Sequence, residues 1–340
     1  MGKAARREAR ERLRQERIRQ QQRAKRNRLL AAIGAAAAVI ALVVGGGYLV
    51  MNWEGEPAAA FDGDLAAQTL QQDGSVVMAQ EGASAPVVEV YVDFQCPACQ
   101  KFEEANADTL KQLAAEGEAI VHLRPVSIFA QKQDPVSTNS LRAGAAARAA
   151  ADHGRFVEYN DKLFANQPVE GRPGFSPEDL KKWGEEVGIT DPAFAERVDA
   201  ESGVAEQFTG TYYTALIAKA QQGLSDEELS TMTLSDLREW GRDQGVDDSF
   251  LDGTYVGELL DTTAAAYGRY EGDNRFGGTP SVYINGELQG NNVYDASGLT
   301  EAVESAQAGE VDTEPLSTDD AATPGPSPSE SSSAKDTSEE

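Results

Sequence analysis

The chain has only two cysteines in 340 residues, and Cys96 and Cys99 lie three positions apart. The segment before them, 87–94, is β-branched and aromatic and predicts a buried strand. The segment after them, 100–115, is rich in Ala, Glu, Lys and Leu and predicts a helix. The pair therefore falls on the first turn of a helix, where unpaired N–H groups and the helix dipole favour a thiolate.

The spacing of the pair is typical of a reversible dithiol centre, because residues i and i+3 of a helix are close enough to form a disulfide. Pro97 suits the first helical position, since its missing N–H would be unpaired there. One alternative is a zinc site, which needs about four ligands, but the only histidines are His122 and His153. The other is a purely structural disulfide, although so small a loop removes little chain entropy.

The N-terminal region predicts a membrane anchor. Residues 1–28 carry 12 basic and 3 acidic side chains, and the uncharged apolar segment 29–51 follows. A bilayer is crossed by about 20 apolar residues in a helix. Tyr48 and Trp53 stand where an aromatic belt is expected, and the positive-inside rule leaves 1–28 in the cytoplasm and the rest outside. The expected location is therefore the cell membrane, with a single span.

Two other interpretations of this region stay open. A cleaved signal peptide has a shorter apolar core, of about 7–15 residues, with small residues soon after it; here the Ala-rich triplet at 58–60 comes late. A nucleic-acid arm would also be basic, but basic residues beside a membrane helix usually set its orientation. The chain carries a net charge of −26, so residues 29–340 carry −35, which argues against nucleic acid as a partner.

The remaining sequence divides into a linker at 52–73, a folded domain at 74–308 and a tail at 309–340. Short strands are predicted at 75–78 and 119–124 on either side of the Cys segment. The tail is rich in Ser, Pro, Thr, Asp and Glu and predicts disorder.

Segment 137–270 is predicted to be an almost wholly helical insertion, with Ser176 and Asp191 as helix caps. Within it, 180–189 and 237–246 share a Leu-x-x-Trp-Gly pattern that ends in Gly and an aliphatic residue. We interpret this as a duplicated helical unit whose tryptophans are core residues rather than a ligand site. Two unrelated amphipathic helices are the alternative.

After the insertion the chain reads Gly-Gly-Thr-Pro-Ser-Val-Tyr-Ile-Asn-Gly at 277–286. This predicts a short strand at 281–284 and a tight hairpin turn at Asn285-Gly286. A second short strand near Leu288 and a last helix at 296–307 are expected to follow.

A strand, a Cys-Pro-Ala-Cys turn, a helix, a long helical insertion and then this Thr279-Pro280 segment resemble the DsbA-like branch of the thioredoxin family, in its membrane-anchored bacterial envelope form. The resemblance covers about 75–308. It implies an α/β thioredoxin-like fold, here preceded by one transmembrane helix and followed by a disordered tail. It also implies thiol:disulfide oxidoreductase activity, and neither a metal nor a cofactor is expected.

The resemblance also implies site roles. Cys96 corresponds to the exposed nucleophilic thiol and Cys99 to the buried resolving thiol, while Pro97 and Ala98 tune the redox potential. Pro280 corresponds to the cis-proline opposite the pair. Thr279 and Pro280 would then bind substrate, because a proline without an N–H leaves the adjacent backbone to an extended substrate strand.

Two departures from the family pattern are visible. Strongly oxidising members resemble Cys-Pro-His-Cys, and Ala98 cannot supply that histidine, so we expect a higher Cys96 pKa and a less oxidising centre than theirs. Related strands often carry an acidic residue six positions before the first cysteine, where this chain has Val90. Glu89 and Asp93 fall on the other face by alternation and are predicted to be surface or partner-facing carboxylates, with assistance in proton transfer by either as the alternative.

The main prediction is an enzyme that introduces disulfides into secreted thiol-containing proteins and is reoxidised by a quinone-linked membrane partner. A reductase or isomerase of the envelope would use the same residues. A non-catalytic anchored scaffold, with its helical insertion as the docking surface, is the third possibility.

Overall fold

The computed structural model describes residues 60–312. The predicted basic segment 1–28, the membrane helix 29–51 and nearly all of the tail lie outside these residues. Within 60–312, no helix is both long and apolar enough to cross a membrane.

One mixed sheet has six strands in the order β1-β2-β4-β3-β5-β6. The two central strands, β3 and β4, are parallel, and β2 and β5 flank them antiparallel. Edge strand β1 lies within the predicted linker 52–73, so the described part of that linker prediction was wrong: its short Gln-Thr-Leu run pairs with β2. The strands are β1 Ala67–Leu70, β2 Val76–Ala79, β3 Val87–Val92, β4 Ile120–Pro125, β5 Ser281–Ile284 and β6 Glu287–Leu288.

The helices agree closely with the sequence pattern. Helix α1 begins at Pro97, as its missing N–H predicts, and is terminated by Gly117 in the left-handed conformation. The predicted caps Ser176 and Asp191 are confirmed. The helices are α1 Pro97–Glu116, α2 Val136–Ala151, α3 Phe156–Ala165, α4 Pro177–Glu186, α5 Pro192–Gln207, α6 Tyr213–Gly223, α7 Asp226–Thr231, α8 Leu234–Asp243, α9 Tyr255–Arg269 and α10 Ala296–Ser305.

Alternation along β3 places two different sets of side chains on the two faces of the sheet. Val88, Val90 and Val92 lie in the main hydrophobic core with Phe102 of α1 and Leu299 of α10. This face is apolar throughout and holds the helix that carries the Cys pair.

The opposite face carries a buried charged network. Arg124 of β4 is fully buried and donates to Glu89 at 2.6 Å and to Asp73 at 2.7 Å. Arg269 of α9 approaches Glu89 at 3.3 Å, and Tyr270 donates a short hydrogen bond to the same carboxylate. Helix α9 thus covers this face, and each of the two carboxylates is paired with arginine.

His122 belongs to the same network. An arginine N–H can only donate, so the 3.3 Å contact from Arg124 makes Nδ1 of His122 the acceptor. Nε2 then carries the proton and donates to Ser75 Oγ at 2.6 Å, and Ser75 donates onward to Asp73. Burial lowers the pKa of His122 to about 3, so the ring is neutral and structural.

The insertion is helical from α2 to α9, as predicted, and builds a second hydrophobic core. Helices α2 and α9 approach closely at Gly144, where an added Cβ would lie 2.4 Å from Leu259 Cδ2. Helices α5 and α6 are joined without a break by a π-helical turn, Phe208–Tyr212.

The two similar segments, 180–189 and 237–246, end in the same way. The N–H groups of Ile189 and Val246 return to Gly184 O and Gly241 O, at 2.9 and 2.8 Å. Trp183 nevertheless packs in the main core and the tryptophan of α8 against the second core. The tryptophans are core residues, as predicted, but the two units serve different cores.

Glu103, one turn after Cys99, is a buried carboxyl on α1. Its Oε1 has no hydrogen-bond partner among residues 60–312, and the same is true of Oδ1 of the neighbouring Asn160. Burial, together with the charge of Asp161, raises the pKa of Glu103 to about 8. The side chain is therefore neutral at pH 7 in the folded protein.

We expect Glu103→Gln to stabilise the protein at pH 7 by about 3 kcal/mol. Because the pKa of Glu103 is higher in the folded protein than in the unfolded chain, this residue favours folding most below its unfolded pKa of 4.5. Its contribution to stability becomes less favourable as pH rises toward 8. Glutamine removes that penalty. Urea unfolding at pH 4.5 and pH 7 measures it, and the gain should nearly vanish at pH 4.5. Glu104→Gln, at the exposed neighbouring position, is the control, and an equal gain there would contradict the prediction.

Candidate active site

The Cys pair lies at the N-terminus of α1, at the carboxyl end of β3. Cys96 immediately precedes the helix in an extended conformation. Its N–H donates to Asp93 O at 2.9 Å, and its carbonyl accepts from the N–H of Cys99 at 3.1 Å. Cys99 is fully buried in the main core, and both residues are free thiols.

The Thr279-Pro280 segment faces this turn from the start of β5. Its peptide bond is cis, so the geometry predicted at Pro280 is confirmed. Cys96 Sγ donates to Thr279 O at 3.4 Å, and the hydroxyl of Tyr294 donates to Pro280 O at 2.9 Å. The structure therefore brings together segments 183 residues apart in the chain, as the family resemblance implied.

The two thiols have opposite electrostatic environments. Hydrogen bonding from Cys99 lowers the pKa of Cys96, with a further contribution from Thr279, and this outweighs the effect of burial. Burial raises the pKa of Cys99 well above its usual value. A thiolate is thus favoured on Cys96 and a protonated thiol on Cys99.

Cys96 is only 5% exposed, less than the exposed thiol that the sequence predicted. Besides Thr279, the loop 166–175 encloses the turn. Gln167 on this loop donates to Phe94 O at 2.8 Å and to Cys96 O at 3.0 Å. Gln167 could not be predicted as a site residue, because a glutamine in a loop carries no sequence pattern that signals such a contact.

A second set of contacts fixes the same loop. Gln95 donates to Pro168 O at 3.0 Å, and Asn139 of α2 donates to Gln95 Oε1 at 2.5 Å and to Arg172 O at 2.8 Å. The insertion thus holds the turn that presents Cys96.

Glu89 and Asp93 are buried, so their prediction as surface or partner-facing carboxylates was wrong. They do lie on the face opposite Val90, as alternation predicts, but the insertion covers that face. Glu89 belongs to the arginine network. The Asp93 carboxyl lies beneath the Cys turn and accepts from the N–H of Gln95 at 2.9 Å. The local sequence of β3 does not show that the insertion covers this face of the sheet.

The remaining predicted site residues lie around the turn. Pro97 and Ala98 occupy the first positions of α1 and are half-buried, with Ala98 packed against the main core. Their role in tuning the redox potential stays a prediction. Within 60–312 no cluster of His, Cys, Asp and Glu side chains is suited to holding a metal ion.

A dithiol at the N-terminus of a helix, opposite a cis-proline in an α/β sheet, defines a thiol:disulfide oxidoreductase. Residues 73–246 match the sequence model of the thioredoxin family. The chain belongs to the thioredoxin family, with the long helical insertion that its resemblance to the DsbA-like branch predicted. No curated protein matches the sequence.

Several solved structures are similar to this chain. MdbA, a thiol-disulfide oxidoreductase from Corynebacterium diphtheriae, is 20% identical over 69% of this chain and 93% of its own, with a TM-score of 0.41. BdbD from Bacillus subtilis is 15% identical over 71% and 97%, with a TM-score of 0.40. DsbA from Mycobacterium tuberculosis is 20% identical over 72% and 100%, with a TM-score of 0.38.

Proposed function

We propose that this protein is a membrane-anchored, extracytoplasmic enzyme that introduces disulfides into exported proteins through Cys96 and Cys99. The observation that carries the proposal is the asymmetry of the pair, with a lowered pKa at Cys96 and a raised pKa at Cys99. A stabilised thiolate on the reduced enzyme favours donation of the disulfide to a substrate.

The proposed reaction has two exchange steps. A substrate thiolate attacks Sγ of Cys96 in the oxidised enzyme, a mixed disulfide forms, and Cys99 leaves as a thiolate and takes up a proton. A second substrate thiolate then attacks the substrate sulfur of the mixed disulfide and releases Cys96 as a thiolate. The substrate dithiol loses two electrons, and the cysteine pair gains them.

The surroundings of the pair suit an extended polypeptide substrate. The main chain at Thr279, beside a proline without an N–H, can pair with a substrate strand. Two large apolar side chains are exposed among the described residues, Val169 at 77% and Tyr267 at 43%. Val169 is two residues from Gln167, whose side chain contacts the Cys turn. Tyr267 lies near enough to Asp93 for the carboxylate to contribute, after burial, to the raised pKa of the tyrosine. Both can contact apolar parts of an unfolded chain.

The cellular arrangement is proposed from the sequence. The apolar segment 29–51 would anchor the protein, and the basic residues before it would keep the N-terminus in the cytoplasm. The folded domain would then lie in an oxidising compartment, where a disulfide persists. A quinone-linked membrane protein is the proposed reoxidant.

A reductase or isomerase is the second candidate, and one observation favours it. Ionised Asp93 raises the pKa of Cys96 and so opposes the thiolate. Ala98 supplies no compensating positive charge. A less stable thiolate makes the reduced pair a better reductant.

The redox potential decides between the two directions. We expect the full chain, equilibrated in detergent with glutathione buffers, to have a potential closer to about −120 mV than to about −270 mV. Ala98→His is the matched reference and should move the potential further toward the oxidising end.

A potential near about −270 mV would overturn the oxidase proposal in favour of a reductase. Failure of the pair to exchange with glutathione at all would favour the non-catalytic scaffold. Oxidation of a reduced, unfolded protein, compared with reduction of insulin, gives an independent reading of direction.

A further inference from the structure

Asp93 has the position and contacts to influence the Cys pair directly. It lies three residues before Cys96 at the end of β3, and its side chain is fully buried. Its backbone carbonyl accepts from the N–H of Cys96, and its Oδ1 accepts from the N–H of Gln95. Both contacts belong to the turn that presents the nucleophile.

The other carboxylate oxygen ties this turn to the insertion. Oδ2 accepts from the N–H of Phe129 at 3.1 Å and from the hydroxyl of Ser140 on α2 at 2.9 Å. Ser140 shares a 2.6 Å hydrogen bond with the hydroxyl of Ser127. The carboxyl is thus held at a fixed place behind the Cys turn by strand, loop and helix.

No cation among residues 60–312 forms an ion pair with Asp93. The titratable groups that feel its charge are Cys96 from the turn and Tyr267 from α9. The groups facing it from α2 and the loop before it are neutral donors, Ser140 and backbone N–H groups. Burial raises the pKa of Asp93 to about 6. Its charge therefore changes within the physiological range.

We infer that Asp93 is a positioning residue that makes the oxidising power of the Cys96–Cys99 pair depend on pH. The inference rests on the proposed thiol:disulfide exchange. The ionised carboxylate works against the thiolate of Cys96, whereas the protonated carboxyl leaves that thiolate unopposed. Both forms can still accept the hydrogen bonds that shape the turn.

The electron and proton balance follows from this repulsion. A substrate dithiol loses two electrons and two protons: the electrons reduce the disulfide, Cys99 takes one proton, the other proton passes to water, and Cys96 is released as a thiolate. Because this new charge repels the carboxylate, the reduced form binds the Asp93 proton more tightly than the oxidised form. Protonation of Asp93 therefore adds to the oxidising power of the pair as pH falls through about 6, and it offsets part of the loss that release of the second substrate proton causes at low pH.

The test compares the full-length wild-type chain with Asp93→Asn in glutathione buffers from pH 4.5 to 8, with the Cys96 thiolate followed by its ultraviolet absorbance. Asparagine keeps the size of the side chain and removes its charge. We expect the variant to have a lower Cys96 pKa. At pH 7.5 its equilibrium constant for oxidising glutathione should be about three- to tenfold larger. The equilibrium constants of the two proteins should become equal below pH 5.

The convergence separates a charge effect from a structural one. A variant that merely disturbs the turn would differ from wild type by the same factor at every pH, and that result would overturn the inference, as would identical curves. If Asp93→Asn does not fold, Ser140→Ala serves instead. It removes one hydrogen bond to the carboxylate and should move the pH midpoint of the wild-type curve upward, and an unmoved midpoint would contradict the inference.

Failure of the proposed function gives a different result. If the wild-type protein does not exchange with glutathione at any pH, the oxidoreductase proposal fails. If it exchanges and Asp93→Asn changes nothing, only the role of Asp93 fails. Glu104→Gln removes an exposed carboxylate of α1 and should leave both curves unchanged.

Discussion

Cys96→Ser is expected to have no measurable thiol:disulfide exchange, whereas Cys99→Ser should accumulate mixed disulfides with its substrates. A serine hydroxyl cannot form the bond to substrate sulfur, because the thiolate is the reacting species. Cys99 is fully buried, so its loss leaves Cys96 able to attack a substrate disulfide but removes the thiol that would displace the substrate from the resulting mixed disulfide. Oxidation of a reduced, unfolded protein gives the rates, and mass spectrometry of the trapped enzyme identifies the bonded cysteine.

The controls for this prediction are structural. Cys96→Ser should keep the free energy of unfolding of the reduced protein within about 1 kcal/mol, whereas Cys99→Ser places a hydroxyl in the main core and should lower it by about 1–3 kcal/mol. If Cys96→Ser traps substrates and Cys99→Ser does not, the roles of the two residues are reversed. If both variants support normal function in the cell, the Cys pair is not catalytic, and that result favours the non-catalytic scaffold.

Arg124→Met is expected to lower the free energy of unfolding by about 3–5 kcal/mol. The arginine is fully buried and donates hydrogen bonds to Glu89, to Asp73 and to the ring of His122. Methionine fills much of the space but leaves Asp73 buried without its cation, and an unpaired buried charge carries a large desolvation cost. Urea unfolding at pH 7 measures the loss.

An exposed ion pair provides the comparison. Lys101 lies 3.1 Å from Glu104 with both side chains about half exposed, and Lys101→Met should change stability by less than about 0.5 kcal/mol. Adding Asp73→Asn to Arg124→Met should recover part of the loss, because it removes the charge that has lost its cation. A loss below about 1 kcal/mol in Arg124→Met would show that the network does not hold the sheet face.

Local patterns were sufficient for the elements that carry the site. The β-branched run at 87–92, the proline at the start of α1 and the Asn285-Gly286 turn each express a short-range rule, and the structure follows them. The pairing of the Cys turn with Thr279 came from the resemblance to a family rather than from spacing.

The burial of Asp93 and Glu89 could not be predicted in the same way. Alternation assigns a residue to one face of a strand, but only the packing of distant helices decides whether that face meets water. Here α2 and α9 cover it, and they lie between 43 residues after Asp93 and 180 residues after Glu89. Strand β1 was missed for a related reason, since four residues with one neighbouring strand leave a weak pattern.

Helix α9 belongs to both parts of the domain. Its first half, with Val256 and Leu260, packs in the second hydrophobic core, and its second half, with Ala266, packs against the charged face of the sheet. Thr263, between them, accepts from the N–H of Ser127 close to the Cys turn. A helix that is shared in this way cannot detach from one core and stay intact in the other. We therefore expect the insertion and the sheet to unfold as one cooperative unit, in which opening of either core disrupts the other.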